Sequence, residues 1–154
     1  MKRILLGTLS AGLLLLQGCG EAGVEAVNDG LPWQTDLPKA MAQAKTENKL
    51  VMLDFTGSDW CPPCKALKKK VFTSQAFADF AKANLVLVEV DFPHEKPQSQ
   101  ELKDANEALS KKFDVEGFPT IIVLNSDGKQ LKKDVGYDGQ SAKEFVADLK
   151  KLKS

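Results

Sequence analysis

A chain of 154 residues is long enough for one domain with a buried core and short for two. Apolar residues make up 43% and charged residues 27%, proportions of a globular protein rather than a disordered or fibrous one. Lys plus Arg and Asp plus Glu number 21 each and are interleaved, so the basic patch that nucleic-acid binding requires is missing.

The N-terminus reads as a targeting segment. Lys2 and Arg3 precede an apolar stretch from Ile4 to Leu16, short for a membrane span and of the length of a signal-peptide core. Leu16-Gln17-Gly18-Cys19 resembles the bacterial lipobox, whose cysteine receives lipid and becomes the new N-terminus. The expectation is a signal peptide over 1–18, a lipid-anchored tether over 19–32 and a folded domain over 33–154. The plainer alternative is an ordinary cleaved signal or an uncleaved anchor, with Cys19 incidental. Cleavage leaves 19 basic residues against 21 acidic. Lipid anchoring accumulates about 0.8 kcal/mol per buried CH₂, and stable attachment takes more than one chain. Cysteine arithmetic fits: of three cysteines, one carries lipid and Cys61 and Cys64 remain as a pair. Export places that pair where disulfides persist. Residues 20–32 are small, polar and glycine-bearing, a tether of roughly 40 Å when extended. Trp33 is expected to pack on the domain edge.

Leu37, Ala40, Met41 and Ala44 predict a helix, capped by Asp36 with Pro38 in its first turn. Leu50 to Phe55 is a short apolar run suited to a buried strand. Gly57-Ser58-Asp59 is a turn, and a helix opens at Pro62 with Leu67 and Val71 on one face. Thr73-Ser74 interrupts it and caps a second segment bearing Phe77, Phe80 and Ala81. Leu85 to Val90 is the second strand, followed by a polar loop over 91–100. Leu102, Ala105, Leu109 and Phe113 mark another helix. After the turn Gly117-Phe118-Pro119, a strand over 120–124, the turn Asn125 to Gly128 and a more polar strand over 130–135 form a hairpin, with the last strand near an edge. Ser141-Ala142-Lys143-Glu144 is a capping box opening a helix with Phe145, Leu149 and Leu152 inward. The helical crossover makes the first two strands parallel, and the hairpin adds antiparallel ones. The fold class is α/β, a central mixed sheet with helices on both faces.

The chemistry sits in Trp60-Cys61-Pro62-Pro63-Cys64-Lys65, where a strand feeds a helix N-terminus. Cys61 lies at the cap, where unpaired N–H groups and the positive helix end favour a thiolate, the nucleophilic form. Cys64 lies one turn inside, less exposed, as the resolving thiol. A merely structural staple is poorly served by this spacing: a four-residue loop contributes on the order of 2 kcal/mol, against about 4.7 for a hundred-residue loop. A closed zinc site wants four ligands, whereas this chain offers the pair and its single histidine, His94. A copper site built from Cys61, Cys64 and His94 is the metal alternative; the plainer reading of His94 is a loop histidine.

Residues 33–152 resemble the thioredoxin superfamily. The resemblance is carried by Leu53-Asp54-Phe55, the Trp60 to Lys65 run, Gly117-Phe118-Pro119-Thr120 and Asn125 to Gly128. Asp59-Trp60-Cys61, with Lys45 to Val51 upstream, is most similar to exported members such as the C-terminal domain of thiol:disulfide interchange protein. The resemblance implies a thioredoxin fold and disulfide exchange without a cofactor. Cys61 would attack, Cys64 would resolve, and Asp54 would be a buried acid exchanging a proton with Cys64. Pro119 would be a cis proline facing the pair, with Trp60, Phe118 and the backbone beside it meeting an extended substrate. One extra residue between Asp54 and Cys61 puts the placement of Asp54 in question, and the segment from Pro93 to Asn106 is longer than in thioredoxin itself.

Strong oxidants in the family carry a histidine between the cysteines; Pro62 and Pro63 stand there instead, which favours a reductant. The resemblance then implies disulfide-bonded exported proteins as clients, a membrane thiol carrier as electron donor, a bacterial-envelope location, and a monomer. Two other classes stay open: a binding module in which the cysteines are secondary, and a copper metallochaperone.

Overall fold

The computed structural model describes residues 30–153. The predicted signal peptide, Cys19 and most of the tether lie outside them. The elements follow the expected order, with a short strand added in front. Strand β1 is Trp33–Gln34, helix α1 Leu37–Glu47, strand β2 Leu50–Thr56 and helix α2 Pro62–Leu67. A π-helical segment, Lys68–Phe72, continues α2. Then come α3 (Gln75–Asn84), β3 (Leu85–Asp91), α4 (Gln100–Lys112), β4 (Thr120–Leu124), β5 (Gln130–Val135) and α5 (Ala142–Lys151).

The five strands lie in the order β1-β3-β2-β4-β5. β1, β3 and β2 are parallel; β4 runs antiparallel to β2 and β5 antiparallel to β4. The polar strand β5 is at the edge, as its sequence predicts. Every residue of β2 is buried, because helices cover both faces of the central strand. Alternation splits its side chains between two cores. Leu50 and Met52 join Leu67, Val71, Phe72, Phe77, Phe145 and Leu149 on the α2, α3 and α5 side. Val51, Leu53 and Phe55 join Leu37, Ala40 and Ala44 on the α1 side, with α4 adding Leu109.

Local chemistry fixes the ends. Asp36 accepts from Lys39 N at 2.9 Å to cap α1, and Asn48 ends it at φ 53°. Ser141 and Glu144 form the reciprocal box that opens α5.

Two expectations need correction and one, for Trp33, is met. The tether does not run free to residue 32: Leu31 is 1% exposed and belongs to the core. Trp33 packs at the domain edge as expected: it lies on the edge strand, is 4% exposed and meets Phe72. In α4 the inward stripe uses Asn106, buried at 2%, whereas Ala105 is exposed.

Candidate active site

The site begins where β2 ends. The chain turns through residues 57–60, and the Gly57 carbonyl accepts from Trp60 N at 3.2 Å and Cys61 N at 2.8 Å. Gly57 is required for space, since a Cβ there would lie 2.4 Å from Trp60 Cε2. Cys61 follows with extended backbone (φ −86°, ψ 107°) as the N-cap of α2. Its Sγ accepts from Cys64 N at 3.3 Å. Pro62 and Pro63 occupy the first helical positions, where no intrahelical donor is needed.

Cys61 and Cys64 are joined in a disulfide with Cα atoms 5.3 Å apart, ordinary spacing for such a bond. The expected difference in exposure is absent in this oxidised state: Cys61 is 2% and Cys64 4% exposed. Access separates them instead. Cys61 borders a groove of about 400 Å³ lined by Trp60, Pro62, Pro63, Val115, Glu116, Gly117 and Phe118, and Cys64 does not. The Phe118–Pro119 peptide is cis, with Pro119 buried just before β4.

Asp54 shares the β2 face of Met52, the face on which α2 packs through Leu67. It is 7% exposed, and its Oδ1 has no hydrogen-bond partner. Burial raises its pKa to about 8; Glu89 and Asp91 add to the rise, and Lys68, one turn beyond Cys64, opposes it.

The loop after β3 supplies contacts that sequence reasoning missed. The Asp59 carboxylate accepts from three consecutive amides, His94 N (3.0 Å), Glu95 N (2.8 Å) and Lys96 N (3.1 Å). These donors hold its pKa down to about 2. Ser58 donates its N–H (2.9 Å) and its hydroxyl (2.5 Å) to Asp91. The Asp91 carbonyl accepts from Asn106 and Gln98 side-chain amides. The Trp60 indole N–H donates to Phe92 O at 2.7 Å, and its ring stacks on His94 at 4.5 Å and 7°. Among the described residues no group of three or more His, Cys, Asp or Glu is arranged to hold a metal ion. None of the described helices is long and apolar enough to cross a membrane.

Residues 37–153 match the family of thioredoxin-like domains. The chain belongs to the thioredoxin-like family. With a C-x-x-C disulfide heading its second helix, it is a thiol–disulfide oxidoreductase of that family. It is 33% identical over 120 residues to the disulfide bond reductase DsbH of Chlamydia pneumoniae, covering 78% of this chain and 71% of that one. A solved DsbH oxidoreductase superposes with TM-score 0.74 at 31% identity, over 92% of this chain and 94% of that one. The reduced C-terminal domain of DsbD from Neisseria meningitidis gives TM-score 0.58 at 25% identity, over 75% and 93%. Against that family background the clasp from residues 91–96 onto the 57–60 turn is the feature the motifs did not announce. Its sequence signal is faint: an acid beside Trp60 and a polar loop containing the sole histidine.

Proposed function

We propose that this thioredoxin-like protein is a reductase of disulfides in exported proteins, held to the bacterial envelope by lipid on Cys19. The observation that carries the reading is Cys61 at the helix cap, bordering a mainly apolar groove, with its bonding partner one turn inside. In the reduced protein, Cys61 thiolate attacks one sulfur of a client disulfide. A Cys61–client bond forms and the other client sulfur leaves as thiolate. Cys64 then passes its proton to a base and attacks Cys61 Sγ, forming the Cys61–Cys64 disulfide and releasing the second client thiolate. Two electrons go from the dithiol to the client, and a membrane thiol carrier restores them.

Asp54 is the base for Cys64. Buried beneath α2 with a pKa near 8, it can take a proton and return it near neutrality. Trp60, Phe118 and the backbone at Pro119 receive the client chain. Pro62 and Pro63 add no charge or donor that would over-stabilise the thiolate, which supports the reducing direction. The name of the DsbH relative supports the same direction.

The test is insulin reduction with dithiothreitol as electron source, run on membrane and soluble fractions of cells expressing the full chain. Wild-type activity is expected in the membrane fraction, activity of Cys19→Ala in the soluble fraction, and none from Cys61→Ser. Cys64→Ser should trap client as a mixed disulfide. Full activity in Cys61→Ser would overturn the reading.

A further inference from the structure

Trp60 is 39% exposed, yet four contacts hold it. Its ring folds onto Gly57 so closely that no Cβ fits between them. His94 lies flat against it, Phe118 meets it edge-on at 5.9 Å, and its N–H is bonded to the Phe92 carbonyl. Three of these contacts come from elements other than its own turn, and two of them from the 91–96 loop. The whole connection, residues 92–99, carries two prolines, Pro93 and Pro97, and no secondary structure of its own. What fastens it beside Trp60 is Asp59. Successive backbone N–H groups at 94, 95 and 96 converge on one carboxylate, an anion-binding concavity filled by the chain itself.

We propose that Asp59 is a positioning residue for protein clients: by gathering the three amides it holds His94 flat on Trp60 and fixes the indole as a rigid wall of the groove beside Cys61. This rests on the reductase reading and deepens it. A wall ordered in advance does not have to be ordered when an extended client enters, so the benefit falls on client binding. It does not fall on the sulfur chemistry. A small disulfide that reaches Cys61 without filling the groove gains nothing from the wall.

The experiment compares two substrates in single-turnover reactions of the full chain, reduced with dithiothreitol and then freed of it so that its Cys61–Cys64 dithiol is the electron source: oxidised insulin and the small aromatic disulfide DTNB. Removing Asp59 also removes a negative charge near Cys61, which acts on both substrates alike, so the readout is the ratio of their kcat/KM values. Asp59→Ala is expected to lower the insulin-to-DTNB ratio about tenfold, chiefly through KM for insulin. His94→Ala, which leaves Asp59 and the turn in place, should lower it in the same sense. His94→Phe, which keeps a flat ring on the indole, should restore it. An unchanged ratio in both alanine variants, or His94→Phe behaving as His94→Ala, overturns the positioning role while wild-type turnover leaves the reductase reading standing. Wild-type protein turning over neither substrate overturns both.

Discussion

Asp54 is the one carboxyl in the site whose surroundings work against its charge. It is closed off from water, one oxygen lacks a partner, and two other acids face it against a single lysine. Its pKa of about 8 in the fold compares with 3.8 unfolded, so between those values the folded chain holds a proton that the unfolded chain has lost. Stability therefore falls as pH rises through that window and levels off above it. By pH 7 the effect reaches up to about 4 kcal/mol, at 1.36 kcal/mol per unit. Asp54→Asn keeps the shape and cannot ionise. It is expected to melt higher than wild type at pH 7–8, to match it near pH 4, and to flatten the profile between. The same substitution removes the proton acceptor proposed for Cys64, so release of the mixed disulfide should slow about a hundred- to ten-thousandfold, the usual scale of lost acid–base help. Thermal melts across pH, with single-turnover release of a labelled peptide, check both halves. Asp54 was visible in the sequence as a motif residue and its burial was expected from the resemblance; its quarrel with Glu89 was not visible, because Glu89 becomes its neighbour only through the β2–β3 register.

At the scale of elements, what could be read from sequence was what the chain decides locally. Short apolar runs placed β2, β3 and β4, period-3.6 patterns placed the helices, and side-chain caps placed helix starts at Asp36, Ser74 and Ser141. Ser141→Ala removes half of the box that opens α5 and is expected to cost about 1 kcal/mol of stability with insulin reduction unchanged, read by chemical denaturation. Elements whose reason lies elsewhere in the molecule were not legible. Two residues cannot show a period, and β1 exists because Trp33 finds Leu87 and Phe72. Asn106 takes an inward position that apolar patterning gave to Ala105, since the Asp91 carbonyl needs a donor there. The π-helical turn at Lys68–Phe72 brings Val71 and Phe72 both into the core, a register no lysine run announces. The clasp on Trp60 belongs to the same class: its donors are backbone amides, which carry no residue identity.

For the whole molecule, the direction of electron flow and the stability of the fold are one quantity seen twice. If the disulfide stabilises the native state against the unfolded one, the native disulfide is by the same amount harder to reduce than an unstructured one, and the dithiol is a reductant. Two terms compete. Closing a four-residue loop in the unfolded chain favours the oxidised fold by about 2 kcal/mol. A lowered Cys61 pKa favours the reduced fold, because the native thiolate forms more readily than the unfolded one. A thiol brought from about 8.5 to about 7 gains only ~0.4 kcal/mol at pH 7, whereas one brought to about 3.5 gains nearly 5. The sign thus turns on how far the thiolate is favoured, and the two prolines between the cysteines leave Cys61 with the helix start and the Cys64 amide alone. The oxidised protein is therefore expected to melt above the dithiothreitol-reduced protein at pH 7, by roughly 6–10 °C for a domain of this size. Calorimetry on the two redox forms reads this directly. A reduced form that melts higher would make the chain an oxidant, since only a thiolate term larger than the loop term can reverse the order.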